Sequence, residues 1–143
     1  MIRQVPVMSA SWSLSFQIKL LRVVEKQSNL ISFQSSKNRE ILGIDILPST
    51  TNLIINHQSK QYPLRTLNLD VWTDISLNQF FNHGNFTIYT NAGDISVDQQ
   101  VVESPPVYTG VKVFLSRHGL PPIYGHIRNL KFYSHLSQGN VMF

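Results

Sequence analysis

From Ser11 to Leu20 the chain alternates residue by residue. Trp12, Leu14, Phe16, Ile18 and Leu20 are apolar, and Ser13, Ser15, Gln17 and Lys19 between them are polar. Successive side chains of a strand point to opposite faces, so a period of two predicts a β-strand with one face in a core and one in water. The polar run Glu25 to Asn29 predicts a turn before a second strand, Leu30 to Gln34, and Ser35 to Arg39 turns again. Glu40 to Leu47 and Asn52 to Asn56 read as further strands on either side of a break at Pro48 to Thr51, with His57 to Arg65 as a loop. Val71, Thr73, Ile75, Leu77 and Gln79 then alternate against Trp72, Asp74, Ser76 and Asn78. A hairpin-type turn at Asn82 to Asn85 leads into Phe86 to Thr90, and Asn91-Ala92-Gly93-Asp94 turns into Ile95 to Asp98.

After the stop at Ser104-Pro105-Pro106 comes the stretch Tyr108 to Tyr133: an alternating run, a Gly/Pro-rich connection and a second apolar run. Val111, Val113 and Leu115 are expected on one face, Lys112, Phe114 and Ser116 on the other. In the second run the alternation breaks at Arg128-Asn129, and Ile127, Leu130 and Phe132 cannot share a face without a bulge or a twist there. About ten short strands and no amphipathic helix predict an all-β fold, an antiparallel two-sheet β-sandwich, with residues 1–143 as a single domain.

Composition narrows the chemistry. Charged residues make up 14% of the chain, below the roughly 25% usual for soluble proteins, so the wet faces are mainly hydroxyl and amide. With no cysteine, disulfides, thiolate metal sites and a cysteine nucleophile are excluded. No apolar run is long enough to span a membrane as a helix. The first residues lack a stretch of signal-peptide length, which suggests either a non-secreted chain or a mature or excised domain. The net charge of +4 is concentrated: the acids and an equal number of Lys and Arg fall before residue 104, whereas Lys112, Arg117, Arg128 and Lys131 follow it with no acid. Charge asymmetry of this kind bears on partners rather than on fold.

The segments W-S-L-S-F-Q-I-K (12–19 with Ser11 before it), L-D-V-W-T-D-I-S-L (69–77), F-T-I-Y-T-N-A-G (86–93) and the closing pair V-Y-T-G-V-K-V-F-L-S and Y-G-H-I-R-N-L-K-F resemble the laminin G-like, concanavalin A-like lectin jelly-roll superfamily. The resemblance implies a non-enzymatic, extracellular or cell-surface recognition and adhesion module. Its partner would be a glycan or an extracellular protein, and in some members calcium takes part; nucleic acid is not expected, because the sequence has no run of basic residues and no nucleic-acid motif. Galectin signatures are absent, since Trp72 is followed by Thr-Asp-Ile, and no E-x-D-x-E strand of the glucan-cleaving members occurs.

The residues offer these candidates. Lys112, Arg117, His118, Tyr124, His126, Arg128 and Lys131 form a basic binding set if the two closing strands are neighbours. Arg and Lys recognise sulfate, phosphate and carboxylate, and an acidic glycan fits them. Asp70 and Asp74 flank Trp72, but on one strand they stand roughly 13 Å apart at about 3.3 Å per residue, too far for a retaining glycosidase pair. No cofactor is expected; calcium is the one candidate, through Asn91, Asp94 and Asp98. Histidine spacing does not suit zinc. Asn85-Phe86-Thr87 is a glycosylation sequon at a turn. A glycan-cleaving enzyme on the same scaffold and an assembly subunit, whose edge strands would pair into an oligomer, are the alternatives.

Overall fold

A computed structural model describes residues 3–57, 60–82, 85–96, 107–115, 123–134 and 139–142. Its twelve described strands are β1 (Arg3–Met8), β2 (Trp12–Leu20), β3 (Ser28–Gln34), β4 (Glu40–Ile46), β5 (Asn52–His57), β6 (Lys60–Thr66), β7 (Thr73–Asn82), β8 (Asn85–Thr90), β9 (Gly93–Ser96), β10 (Tyr108–Leu115), β11 (Gly125–Ser134) and β12 (Gly139–Met142). They form two six-stranded antiparallel sheets. The first has the order β1-β10-β3-β4-β5-β6 and the second β12-β11-β2-β7-β8-β9. The chain is an all-β jelly-roll sandwich, and no helix among the described residues is long and apolar enough to cross a membrane.

The core follows from the alternation. On β2 the five apolar residues are buried and the polar residues between them are half-buried on the outer face. Between the sheets Phe33 of β3 meets Phe132 of β11 with ring centroids 4.9 Å apart, and Trp12 approaches Phe132 at 6.1 Å. Val111 and Val113 of β10 join Ile44, Ile46 and Ile55 from the first sheet. Burial of this continuous apolar layer from both sheets is the main force holding them together.

Three strands are absent from the sequence reading. The segment 57–65, expected as a loop, contains most of β6, whose Gln61, Pro63 and Arg65 are polar or proline because it is a sheet edge. Proline is tolerated there, where its missing N–H breaks no inner ladder. Edge position also explains β1 and β12, which flank the two sheets with little apolar patterning.

The closing strands are not neighbours. β10 lies between β1 and β3 in the first sheet, and β11 between β12 and β2 in the second. A jelly roll switches sheets at such connections, so Lys112 and Arg128 project from opposite outer faces of the sandwich.

His57 of β5 is buried and hydrogen-bonds toward Gln79 of β7 across the core. Burial pushes its imidazole below the ordinary 6.5, and the bond with Gln79 pulls weakly the other way. Gln79 also donates to the Ala10 carbonyl at 2.8 Å.

Candidate functional site

The outer face of the second sheet carries a row of three facing side chains. Arg128 of β11 pairs opposite Gln17 of β2, and Gln17 pairs opposite Asp74 of β7. Register turns this into a hydrogen-bonded chain. Arg128 Nε donates to Gln17 Oε1 at 2.7 Å, Asn129 Nδ2 donates to the same oxygen at 2.9 Å, and Gln17 Nε2 donates to Asp74 Oδ1 at 2.6 Å. A neutral amide thus separates a cation from a carboxylate by two strand spacings, about 10 Å.

The guanidinium is held from a second direction. Its central carbon lies 3.7 Å from the centroid of the Trp72 ring, which is half-buried just ahead of β7. Stacking on an aromatic face and one fixed Nε bond leave a planar, oriented guanidinium. Its two Nη groups make no hydrogen bond among the described residues. That is the edge with which arginine grips a carboxylate, sulfate or phosphate through two parallel bonds.

The expected irregularity of β11 sets this geometry. Register slips between Arg128 and Lys131, and Asn129 takes a positive φ of 56°. Asparagine enters that region more readily than other residues with a side chain. The extra residue lets Leu130 and Phe132 face the core while Arg128 and Lys131 both stay exposed outside.

Around this centre the face is mixed. The His126 ring is 6.5 Å from that of Trp72. Lys19 Nζ lies 3.5 Å from Asp70 Oδ1, an exposed pair of little energetic weight. Further along, Ser13 Oγ donates to Asn78 Oδ1 at 2.5 Å, and Phe80 and Tyr89 meet edge to face at 5.6 Å, both exposed.

Of the basic set anticipated from sequence, the structure brings His126, Arg128 and Lys131 together on this face. Tyr124 sits at its rim beneath Arg22, whose guanidinium carbon is 3.6 Å from the ring centroid. Lys112 is on the other sheet. Arg117 and His118 lie outside the described residues, as do Asp98 and the side chain of Asp94. Asn91 is engaged with β7: its Nδ2 donates to the Asp74 carbonyl at 2.7 Å, and its Oδ1 accepts from Ser76 N at 3.4 Å. Asn85 opens β8 opposite Asn82, at the hairpin end, and its side chain is outside the described set. Asp70 is not on a strand with Asp74. It sits in the preceding turn with a φ of 60°, because Asp70 N donates to the Leu20 carbonyl and bends the chain there.

The described carboxylates are dispersed. Glu25 and Asp70 are on the rim and Asp74 is on the second sheet. Asp45 is buried on the first sheet, where Asn29, Gln27 and Asn56 all donate to it. Glu40 there accepts from Ser32.

Sequence reasoning missed Gln17, Lys19 and Asn129 as members of the site. The alternation of β2 placed Gln17 and Lys19 on the wet face. What it could not supply was the neighbour order that sets them between β11 and β7.

No family model and no curated protein matches the sequence. Solved structures do. A heptameric SAP-like pentraxin from Limulus polyphemus superimposes with a TM-score of 0.66 at 12% identity, covering 92% of this chain and 67% of that one. The full extracellular region of zebrafish Gpr126/Adgrg6 gives 0.64 at 12% identity; 92% of this chain corresponds to 19% of that region. A botulinum neurotoxin type C structure, described by its interaction with two ganglioside molecules, gives 0.53 at 18% identity, covering 86% and 32%. Enzymes share the fold too, among them a sialidase and an alginate lyase. At these identities the likeness is one of fold, and the chain has the concanavalin A-like, laminin G-like jelly-roll fold.

Proposed function

We propose that this protein is a non-enzymatic recognition module, at the cell surface or outside it, that binds an acidic glycan on the outer face of the second sheet. The observation that carries this reading is Arg128, fixed by Gln17 and Trp72 with its Nη edge unengaged among the described residues. A carboxylated or sulfated sugar would set its anion on that edge. Its ring would lie along the polar strip of half-buried Gln17 and Ser15 and exposed Asn129. Lys131 supplies further positive charge and His126 a further polar contact, both exposed on the same strand. Holding the guanidinium in place before binding lowers the ordering cost of the complex. The extracellular and ganglioside-binding descriptions of similar structures support the reading at the level of fold.

A glycan array tests it. Acidic glycans are expected to bind, and Arg128→Lys, which keeps the charge and removes the fork, is expected to weaken them by about tenfold, the loss of roughly one charge-assisted hydrogen bond. Binding confined to neutral sugars, or hydrolysis of the bound glycans, would overturn the proposal, the latter in favour of a glycan-cleaving enzyme.

A further inference from the structure

The loops at one end of the sandwich carry an unusual surface. Leu21, Val23, Leu69, Val71, Leu115 and Tyr124 are each between 41 and 50% exposed, and they are six of the nine large apolar residues so exposed among the described residues. Strand direction puts them together, since β2 and β10 end where β7 and β11 begin. Backbone bonds tie the loops: Leu21 N donates to the Tyr124 carbonyl at 2.7 Å, and Asp70 N to the Leu20 carbonyl at 2.7 Å. Isolated exposed aliphatics are ordinary, but several gathered at one end of a sandwich mark an interaction surface.

Within that end lies a cavity of about 410 Å³ bounded by Arg22, Val24, Glu25, Lys26, Ser28 and Tyr124. Arg22 is stacked on Tyr124 at the mouth, and neither Arg22 nor Lys26 has an ion pair among the described residues. Two cations against one acid around a cavity, beside exposed aliphatic side chains, complement a bilayer surface, where anionic phosphate-bearing headgroups lie beside acyl chains. Leu21, Val23, Leu69 and Val71 lie in the connections outside the strands, beside the cations rather than in one continuous sheet face.

We infer that this end of the sandwich docks on a membrane bearing anionic phospholipids, with Leu21, Val23, Leu69 and Val71 entering the headgroup boundary and Arg22 and Lys26 holding a lipid phosphate. The inference is independent of the glycan face. It places that face beside the bilayer, because Trp72 and His126 lie one row in from the same loops.

Cosedimentation with phosphatidylcholine vesicles, with and without phosphatidylserine, tests it on the whole protein. Binding is expected only to the anionic vesicles and is expected to fall with salt. The double variant Leu21→Ser/Val23→Ser should weaken it by at least about tenfold. Arg22→Gln/Lys26→Gln should weaken it roughly fivefold per charge. Thermal melts identify any variant that fails to fold, and Leu69→Ser/Val71→Ser, on the other loop, then serves in its place. Arg128→Lys should leave vesicle binding unchanged while lowering glycan binding, so the two proposals fail separately. Absence of binding to anionic vesicles, or binding unaffected by both loop pairs, would overturn the inference. So would self-association that the loop variants abolish, which would make this end an interface between copies.

Discussion

Arg128 is a surface residue whose conformation is set by two neighbours, Gln17 and Trp72, with Gln17 itself held by Asn129. Replacing Gln17 by Ala should leave the fold intact, because the side chain lies on the outer face, and should lower acidic-glycan affinity by freeing the guanidinium. A tenfold change corresponds to about 1.4 kcal/mol, and titration calorimetry reads it directly. His57 makes a different prediction, one about stability. Its folded pKa lies below the ordinary 6.5 because it is buried, so below that pH the unfolded chain takes up the proton more readily than the folded one. Its contribution is complete above pH 6.5 and is lost as the pH falls from there toward the folded value, with a slope of at most about 1.4 kcal/mol per pH unit. Denaturant unfolding of the wild type and of His57→Gln should therefore converge as the pH drops below 6.5. A constant difference between them would show that His57 does not titrate on unfolding.

At the scale of elements, the bulge in β11 decides where a charge goes. The need for a bulge or a twist was legible in Ile127, Leu130 and Phe132, which cannot share a face at regular spacing; the structure resolves it as a register shift with Asn129 at a φ of 56°. Asn129→Val should destabilise the protein by roughly 1–2 kcal/mol, since a β-branched residue resists the left-handed region. Asn129→Gly should be close to neutral for stability and weaken the hold on Gln17. Chemical denaturation of the two variants separates backbone strain from the lost hydrogen bond. Strand β2 shows why some elements could be read and others not. Its alternation spans a central strand with one buried face, whereas β1, β6 and β12 are edge strands whose sequences carry no comparable period.

At the scale of the whole molecule, sheet order converts a linear charge pattern into two separate surfaces. Lys112 and Arg128 belong to one acid-free stretch of sequence, yet the sheet switch between β10 and β11 sends them to opposite faces. No local pattern of Val, Lys and Phe records which sheet a strand will join. The sequence resolved the sandwich because alternation is local, and left the site incomplete because Gln17, Trp72 and Arg128 meet only through long-range pairing. The same pairing sets Phe132 in the core between the sheets, its ring tilted against Phe33 of the facing sheet and near Trp12 of its own. Phe132→Ala should cost about 3–5 kcal/mol of stability, measurable as a lowered denaturation midpoint. The most direct test of the recognition face compares Arg128→Lys with Lys112→Gln for binding to the same acidic glycans. Affinity should fall about tenfold with the first and stay unchanged with the second; a loss with Lys112→Gln, or none with Arg128→Lys, would contradict the assignment of the second sheet as the binding face.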